Sequence, residues 1–355
     1  MISFITKRIG YGLLVLLGVV LVIFFLFNVL PVNSARLTLG QRADIASVEA
    51  IEKELGLNLP LPLRLVKYIG ELSPIWIHEN TTEDQEKYNY IKLFAVSGTK
   101  VLAIKAPYLG RSYQTRRLVS EILAEKIPST VILALTAILL ATIVGIILGI
   151  FSAINHNKFW DNAAVTLSVI GISQPSYFSG IILALLFGYL WHDYTGLNHV
   201  GSLFELTDLG DEIVVWKNLI LPAVALGIRP IAIITQLTRS SMLDVLSQDY
   251  IRTAKAKGLS FYKVLYKHSL RNALNPVITS ISGWFAALLA GAYFVEIIFD
   301  FKGLGYETVK ALLNFDFPVV MGSVLFTATI FVLVNMFVDV LYAFLDPRIS
   351  VKSTQ

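Results

Sequence analysis

Residues 9–30 read IGYGLLVLLGVVLVIFFLFNVL, 22 positions without a charged side chain. An α-helix rises about 1.5 Å per residue and a bilayer's hydrocarbon core is about 30 Å thick, so such a run is long enough to cross it. The run exceeds the roughly 7–15 apolar residues of a signal-peptide core, and no small-x-small cleavage pattern follows, so it reads as a retained first helix. Working outward, comparable runs recur at 128–154, 165–191, 219–237, 276–298 and 319–345, which makes six expected spans. The whole chain of 355 residues is 55% apolar and 15% charged, against about 25% charge in an ordinary soluble domain. That balance excludes a cytosolic globular enzyme and predicts an all-α polytopic membrane protein. The net charge of +4 is what Lys and Arg flanking membrane helices produce, so it calls for no nucleic acid. With no cysteine in the chain, disulfides, thiolate metal sites and cysteine nucleophiles are all excluded.

Short loops set the orientation, because Lys and Arg stay on the cytoplasmic side. Lys7 and Arg8 precede the first span, Lys158 sits in the link after the second, and the stretch 238–275 holds seven basic residues against Asp244 and Asp249. The loop after the third span instead carries Asp193, Glu205, Asp208, Asp211 and Glu212 against Lys217. Both termini are therefore expected in the cytoplasm. The chain divides into an N-terminal transmembrane helix at 1–30, an extracytoplasmic segment at 31–127, a five-helix core at 128–345 and a cytoplasmic tail at 346–355. Within the long outer segment, 44–55 reads as a short helix stopped by Gly56, and 91–104 alternates like a strand or hairpin around Ser97-Gly98. There is no internal repeat and no low-complexity tract.

The cytoplasmic stretch 240–275 is unlike a connecting loop. It is basic, helix-forming and broken by Gly258, which predicts two short helices with a sharp corner: one from Asp249 to Lys257, one capped by Ser260 and running through Asn272. Ala254 and Ala256 would leave the backbone near the surface while Lys255, Lys257 and Lys263 present charge. Residue chemistry leaves two readings open at this point: a corner received in a partner's groove, or a basic helix lying on anionic lipid.

The order of residues adds a resemblance. Asp249-Tyr-Ile-Arg-Thr-Ala-Lys-Ala-Lys-Gly258 followed by His268-Ser-Leu-Arg-Asn-Ala-Leu-Asn-Pro276-Val-Ile-Thr279 resembles the signature loop of ATP-binding-cassette (ABC) importer permeases of the oligopeptide and dipeptide branch, B-type subunit. The general family pattern is Glu-Ala-Ala, three residues, Gly, nine residues, Ile-x-Leu-Pro. Arg252, Thr253, His268 and Arg271 replace the Glu, first Ala, Ile and Pro, as the peptide branch itself does, and Ala254, Gly258 and Leu270 are kept. Leu30-Pro31, Leu55-Gly56-Leu57 with Pro60, Gly291-Ala-Tyr-Phe-Val-Glu296-Ile-Ile-Phe299, Gly303-Leu-Gly305, Asp316-Phe-Pro318 and Asp346-Pro-Arg348 follow in the branch's order. Lys302 departs from the branch's Pro, and 73–108 looks like an insertion.

The resemblance implies a type I ABC importer permease fold in a bacterial inner membrane. It also implies a heterodimer with a second homologous permease, two ABC ATPase subunits and an extracytoplasmic substrate-binding protein. ATP would be bound by the partners, and this chain would carry no cofactor; no Gly-x-x-x-x-Gly-Lys-Ser/Thr loop occurs in it. Arg252, Thr253, Ala254, Lys255, Ala256, Lys257, Gly258, Leu259 and Ser260 would then form the ATPase-coupling site, and the substrate would be a di- or oligopeptide, with nickel or another solute as the alternative. Polar residues inside spans are the pathway candidates: Gln174 before the kinking Pro175, Arg229, and Asn335 with Asp339 on one helix face. A pairing of Arg229 with Asp339 would satisfy both. Gly145 and Gly149, spaced for close helix approach, are expected to pack within this chain rather than at a dimer seam, and Glu296 to order the Gly303-Leu-Gly305 loop. An ion-coupled secondary transporter stands as a further alternative; it would need inverted repeats, which the sequence lacks, and coupling carboxylates, of which only Asp339 lies well inside a span. A membrane hydrolase would need a catalytic constellation, which is not found. No catalytic or metal residue is assigned, and His192 and His199 read as members of a solvated loop.

Overall fold

The computed structural model describes residues 2–29 and 59–345; the helix expected at 44–55 and the tail at 346–355 lie outside them. Two compact units emerge: unit 1 comprises Met1–Ile9, Lys126–Glu307 and Ile330–Gln355, and unit 2 comprises Gly10–Glu125 and Thr308–Thr329.

The long helices follow the apolar runs. They are α1 (Ile2–Val29), α4 (Val119–Ile154), α5 (Phe159–Ser173), α6 (Ser176–Leu183, continued as a π-helix over Ala184–Leu190), α7 (Lys217–Leu246), α9 (Arg271–Gly291) and α12 (Phe317–Leu345). Among the described residues, four are long and apolar enough to cross a membrane singly, over Thr6–Phe27, Val119–Ile154, Lys217–Leu246 and Phe317–Asp339, and the pair Phe159–Ser173 and Ser176–Leu190 makes a fifth bent by 106°. The cause of the bend is local. Pro175 disfavours helical geometry in the residue before it, and Gln174 accordingly lies extended at φ −85°, ψ 135°. The fifth expected stretch, 276–298, is not one helix: α9 ends at Gly291 and a short α10 (Tyr293–Ile298) follows. Unit 1 is closed around Leu133, Ala137, Leu221, Leu226, Val295 and Phe299. Gly145 and Gly149 make their close approach to α7: a Cβ on Gly145 would stand 2.7 Å from Ile234, and one on Gly149 2.7 Å from the Thr235 carbonyl. The packing is within the chain.

Unit 2 departs from an all-α architecture. Between α2 (Leu61–Leu72) and α4 the chain forms β1 (Ile75–Glu79), α3 (Thr82–Tyr88), β2 (Ile91–Ser97) and β3 (Lys100–Ile104). The hairpin expected around Ser97-Gly98 is present, and β1 joins it to give an antiparallel sheet in the order β1-β3-β2, with Ile75 opposite Ile104 and Glu79 opposite Lys100. The polar run 79–90 conceals α3, whose first turn is capped by Thr81 accepting from the Asp84 amide. In unit 1 a small hairpin, β4 (Phe204–Leu206) and β5 (Glu212–Val214), occupies the acidic loop.

Candidate functional site

The corner at Gly258 is built as a Schellman turn. Helix α8 (Asp249–Ala256) ends where Gly258 adopts φ +76°; its amide donates to the Lys255 carbonyl at 2.9 Å, and the Leu259 amide reaches back to the Ala254 carbonyl at 3.4 Å. Leu259 packs toward Ile251, Ala254 and Val264, which closes the corner with an apolar contact. Ala254 is therefore buried, contrary to its expected surface place, because it faces Val264 across the turn. Arg252, Thr253, Lys255, Ala256, Lys257, Gly258 and Ser260 are exposed and Leu259 is half-buried. A Cβ at Gly258 would meet open space, so only backbone strain restricts this position. Two expectations change. Ser260 makes no side-chain capping bond, and the second helix does not stop at Asn272. Instead Phe261–Lys263 leads through a π-turn, Val264–Leu270, directly into α9. Asn272 bridges the two arms, donating to the Tyr250 hydroxyl at 3.0 Å.

Unit 1 also holds an anchor that the sequence reading missed. Asp161, fully buried in the first turn of α5, accepts from Arg239 Nε at 2.6 Å and Nη2 at 2.8 Å, from Ser152 Oγ at 2.5 Å and from the Asn157 amide at 2.8 Å. His156 Nδ1 stands 3.2 Å from Arg239 Nη2. A two-point guanidinium–carboxylate pair fixes direction as well as distance, so it ties the end of α4, the start of α5 and α7 to one another. Its only sequence signal is an acid near the start of one helix and a basic residue within another, 78 positions apart.

The pathway candidates do not form one cluster of contacts. Gln174 accepts from Ser179 Oγ across the bend at 3.5 Å. Arg229 lies exposed with its guanidinium 6.0 Å from the Trp284 ring centroid. Asn335 donates to the Phe331 carbonyl of its own helix at 2.7 Å. Asp339 pairs at 2.9 Å with Arg8, which answers a question the sequence leaves open: its partner is not Arg229, because the face of α12 that holds Asp339 meets α1. Glu296 orders its loop as expected, accepting from Thr130 Oγ1 at 2.7 Å and from the Tyr306 amide at 2.9 Å, while Thr130 also accepts from the Leu304 amide at 2.8 Å. In the acidic loop, His192 Nδ1 stands 2.6 Å from the Leu197 carbonyl and His199 packs edge-on to Tyr189.

Against known proteins, residues 145–351 match the model of the binding-protein-dependent transport system inner membrane component family, and residues 1–134 match the N-terminal model for the membrane component of the same systems. The chain is 34% identical over 368 residues to the di/tripeptide transport system permease protein DppB of Pseudomonas aeruginosa (strain UCBPP-PA14), covering 98% of this chain and 99% of that one. It is 32% identical over 369 residues to the dipeptide transport system permease protein DppB of Escherichia coli (strain K12), covering 99% and 100%. Among solved structures, an amino acid ABC transporter with histidines aligns at a TM-score of 0.44 and 14% identity, over 62% of this chain and 94% of that one.

Proposed function

The chain belongs to the binding-protein-dependent transport system inner membrane component family, and from that premise we propose that it is a permease subunit of an ABC importer carrying dipeptides or short oligopeptides. It works beside a second homologous permease, each supplying half of the pathway, with two ATPase subunits that bind the ATP and an extracytoplasmic protein that delivers substrate. Six spans cross the bacterial inner membrane: α1, α4, the bent α5–α6 pair, α7, α9 and α12, with both termini in the cytoplasm. The observation that supports coupling most directly is the exposed basic corner at Gly258, rigid by its own hydrogen bonds and standing on a segment tied down by Arg239 and Asp161. A rigid projection of this kind transmits a partner's movement without dissipating it in local flexing, and couplings of about 1–3 kcal/mol between sites are sufficient to switch access. On the pathway side, Arg229 is the candidate best placed to meet a peptide carboxylate, because among the described residues it faces an aromatic ring and no acid.

The test begins with gentle purification of the full chain from its own cells, followed by uptake into vesicles with the partners present. A second six-span permease and phosphate-loop ATPases should copurify in stoichiometric amount. Gly258→Val should release the ATPases and lower ATP-driven dipeptide uptake about tenfold, from the roughly 1–2 kcal/mol cost of a left-handed β-branched residue. Gly258→Asn, which tolerates positive φ, should be close to wild type. Uptake of a labelled dipeptide, a longer peptide and nickel, compared in the same vesicles, identifies the substrate class. Purification of the chain by itself, with substrate moving on an ion gradient without ATP, would sink the reading.

A further inference from the structure

Unit 2 holds a cavity of about 390 Å³ that has no part in the corner, the anchor or the pathway candidates. One wall is cationic: Arg64 and Lys67 from α2, Lys87 from α3, and Arg111 and Arg116 from the loop that precedes α4. Among the described residues a single acid lines it, Glu71, and that carboxylate is already engaged, accepting from Tyr88 Oη at 3.1 Å and lying 3.7 Å from Lys87 Nζ. Lys105 adds another positive charge alongside, its Nζ donating to the Glu71 carbonyl. A concave surface of one charge sign concentrates its field and attracts a counter-ion. Two phenols line the same space, Tyr68 and Tyr113. Burial, then neighbouring carboxylates, push both well above the ordinary tyrosine value, so each remains a neutral donor.

The apolar part of the lining sits at a defined depth. Phe24 lies within one turn of the end of the apolar stretch Thr6–Phe27, and Pro318 and Met321 lie within the first turns of the stretch Phe317–Asp339. These are the ends of two membrane helices, the level at which headgroups meet hydrocarbon. A second observation points the same way. Helix α2 turns Arg64 and Lys67 to the cavity while Leu63 and Val66 stand 55% and 52% exposed, the amphipathic pattern of a helix lying in the interface.

We propose that this cavity binds a phosphate-bearing anion, namely the headgroup phosphate of an anionic phospholipid, with Lys67 and Arg111 as principal contacts. Arginine presents paired donors that match phosphate oxygens, and the apolar wall receives the start of the acyl chains. The same donors could take free inorganic phosphate, so the experiment separates the two sources. The inference does not depend on what the chain transports.

Full-length protein reconstituted in phosphatidylcholine nanodiscs doped with phosphatidylglycerol is extracted gently, and the retained lipid is counted by native mass spectrometry. Phosphatidylglycerol should be enriched on the wild-type chain. Lys67→Gln/Arg111→Gln should weaken its apparent affinity about 25-fold, at roughly fivefold per basic contact. Lys92→Gln/Lys100→Gln, which removes the same charge from the neighbouring sheet, should leave retention unchanged, and circular dichroism of both variants checks that they fold. In a second arm, binding of inorganic phosphate to delipidated protein is measured by calorimetry. Phosphate binding that is lost in Lys67→Gln/Arg111→Gln, without lipid enrichment, supports the anion site and makes free phosphate its occupant. Absence of enrichment and of phosphate binding, or equal losses in the two double variants, overturns the proposal.

Discussion

Single side chains divide sharply by how far away their partners lie. Gly258 was legible because everything it does is local: a helix-forming run, a residue free to take positive φ, and an apolar Leu259 to close the turn. Asp161 was not, because four donors from three separate elements converge on it and no short-range pattern announces that. Losing one partner of a buried ion pair costs about 3–5 kcal/mol. Arg239 keeps some access to water, so Asp161→Asn should cost less, about 2 kcal/mol. That is expected as a lowered midpoint of thermal unfolding in lipid, together with ATP hydrolysis that no longer follows substrate if the anchor carries the corner. Arg239→Lys, which keeps the charge but not the two-point geometry, should fall between wild type and Asp161→Asn. The pairing of Asp339 with Arg8 instead of Arg229 makes the same point: the sequence places each charge on a helix but not on the face that meets a given neighbour.

Whole elements were legible where periodicity or length speaks and blurred where a break intervenes. Pro175 signalled the kink, yet an angle of 106° turns one expected span into two helices. Spin labels at Leu167 and Leu185, both exposed, should lie well short of the roughly 27 Å that 18 residues of continuous helix would place between them. A distance near that value would show a straight span. At the second arm of the corner, the helix expected to end at Asn272 instead runs through the π-helical Val264–Leu270 into α9. In the small sheet, β2 and β3 could be read from alternation, whereas β1 became a strand by pairing with β3. That sheet also carries a pH dependence. His78 of β1 is buried against Tyr88 and Tyr90, its Nε2 finds no partner among the described residues, and burial followed by the charge of Lys105 holds its pKa below the ordinary value against the smaller opposing pulls of Asp84 and Glu71. Such a histidine stays neutral when folded and must bind its proton on unfolding. The sheet's stability is therefore full above the free-histidine value of about 6.5 and falls as pH drops below it toward the folded pKa. Protection factors of the β1 and β3 amides, with the intrinsic exchange rate divided out, should fall as pH drops below about 6.5, and His78→Phe should remove most of that change. An unchanged pH dependence in the variant would refute the assignment.

For the molecule as a whole, the testable expectation is topology. The chain has no cysteine, so single introductions report cleanly. Asp208→Cys in the acidic loop should react with an impermeant maleimide added outside intact spheroplasts, whereas Lys257→Cys at the corner should react only after permeabilisation. The reverse pattern would invert the proposed orientation. By itself, the sequence determined that this is a chain of membrane helices, which loops carry the basic charge, and where a helix-breaking corner projects. Transfer free energy, loop charge and turn geometry are summed over neighbouring residues and need no knowledge of the fold. Only the tertiary structure decided that Asp161 is held by Arg239, that Asp339 meets Arg8, that 73–108 closes into a sheet with α3 beside it, and that basic side chains from three segments gather around one cavity. Those outcomes depend on which helix faces meet, and burying a charge or an unpaired donor is tolerable only after packing has brought a partner from a distant part of the chain.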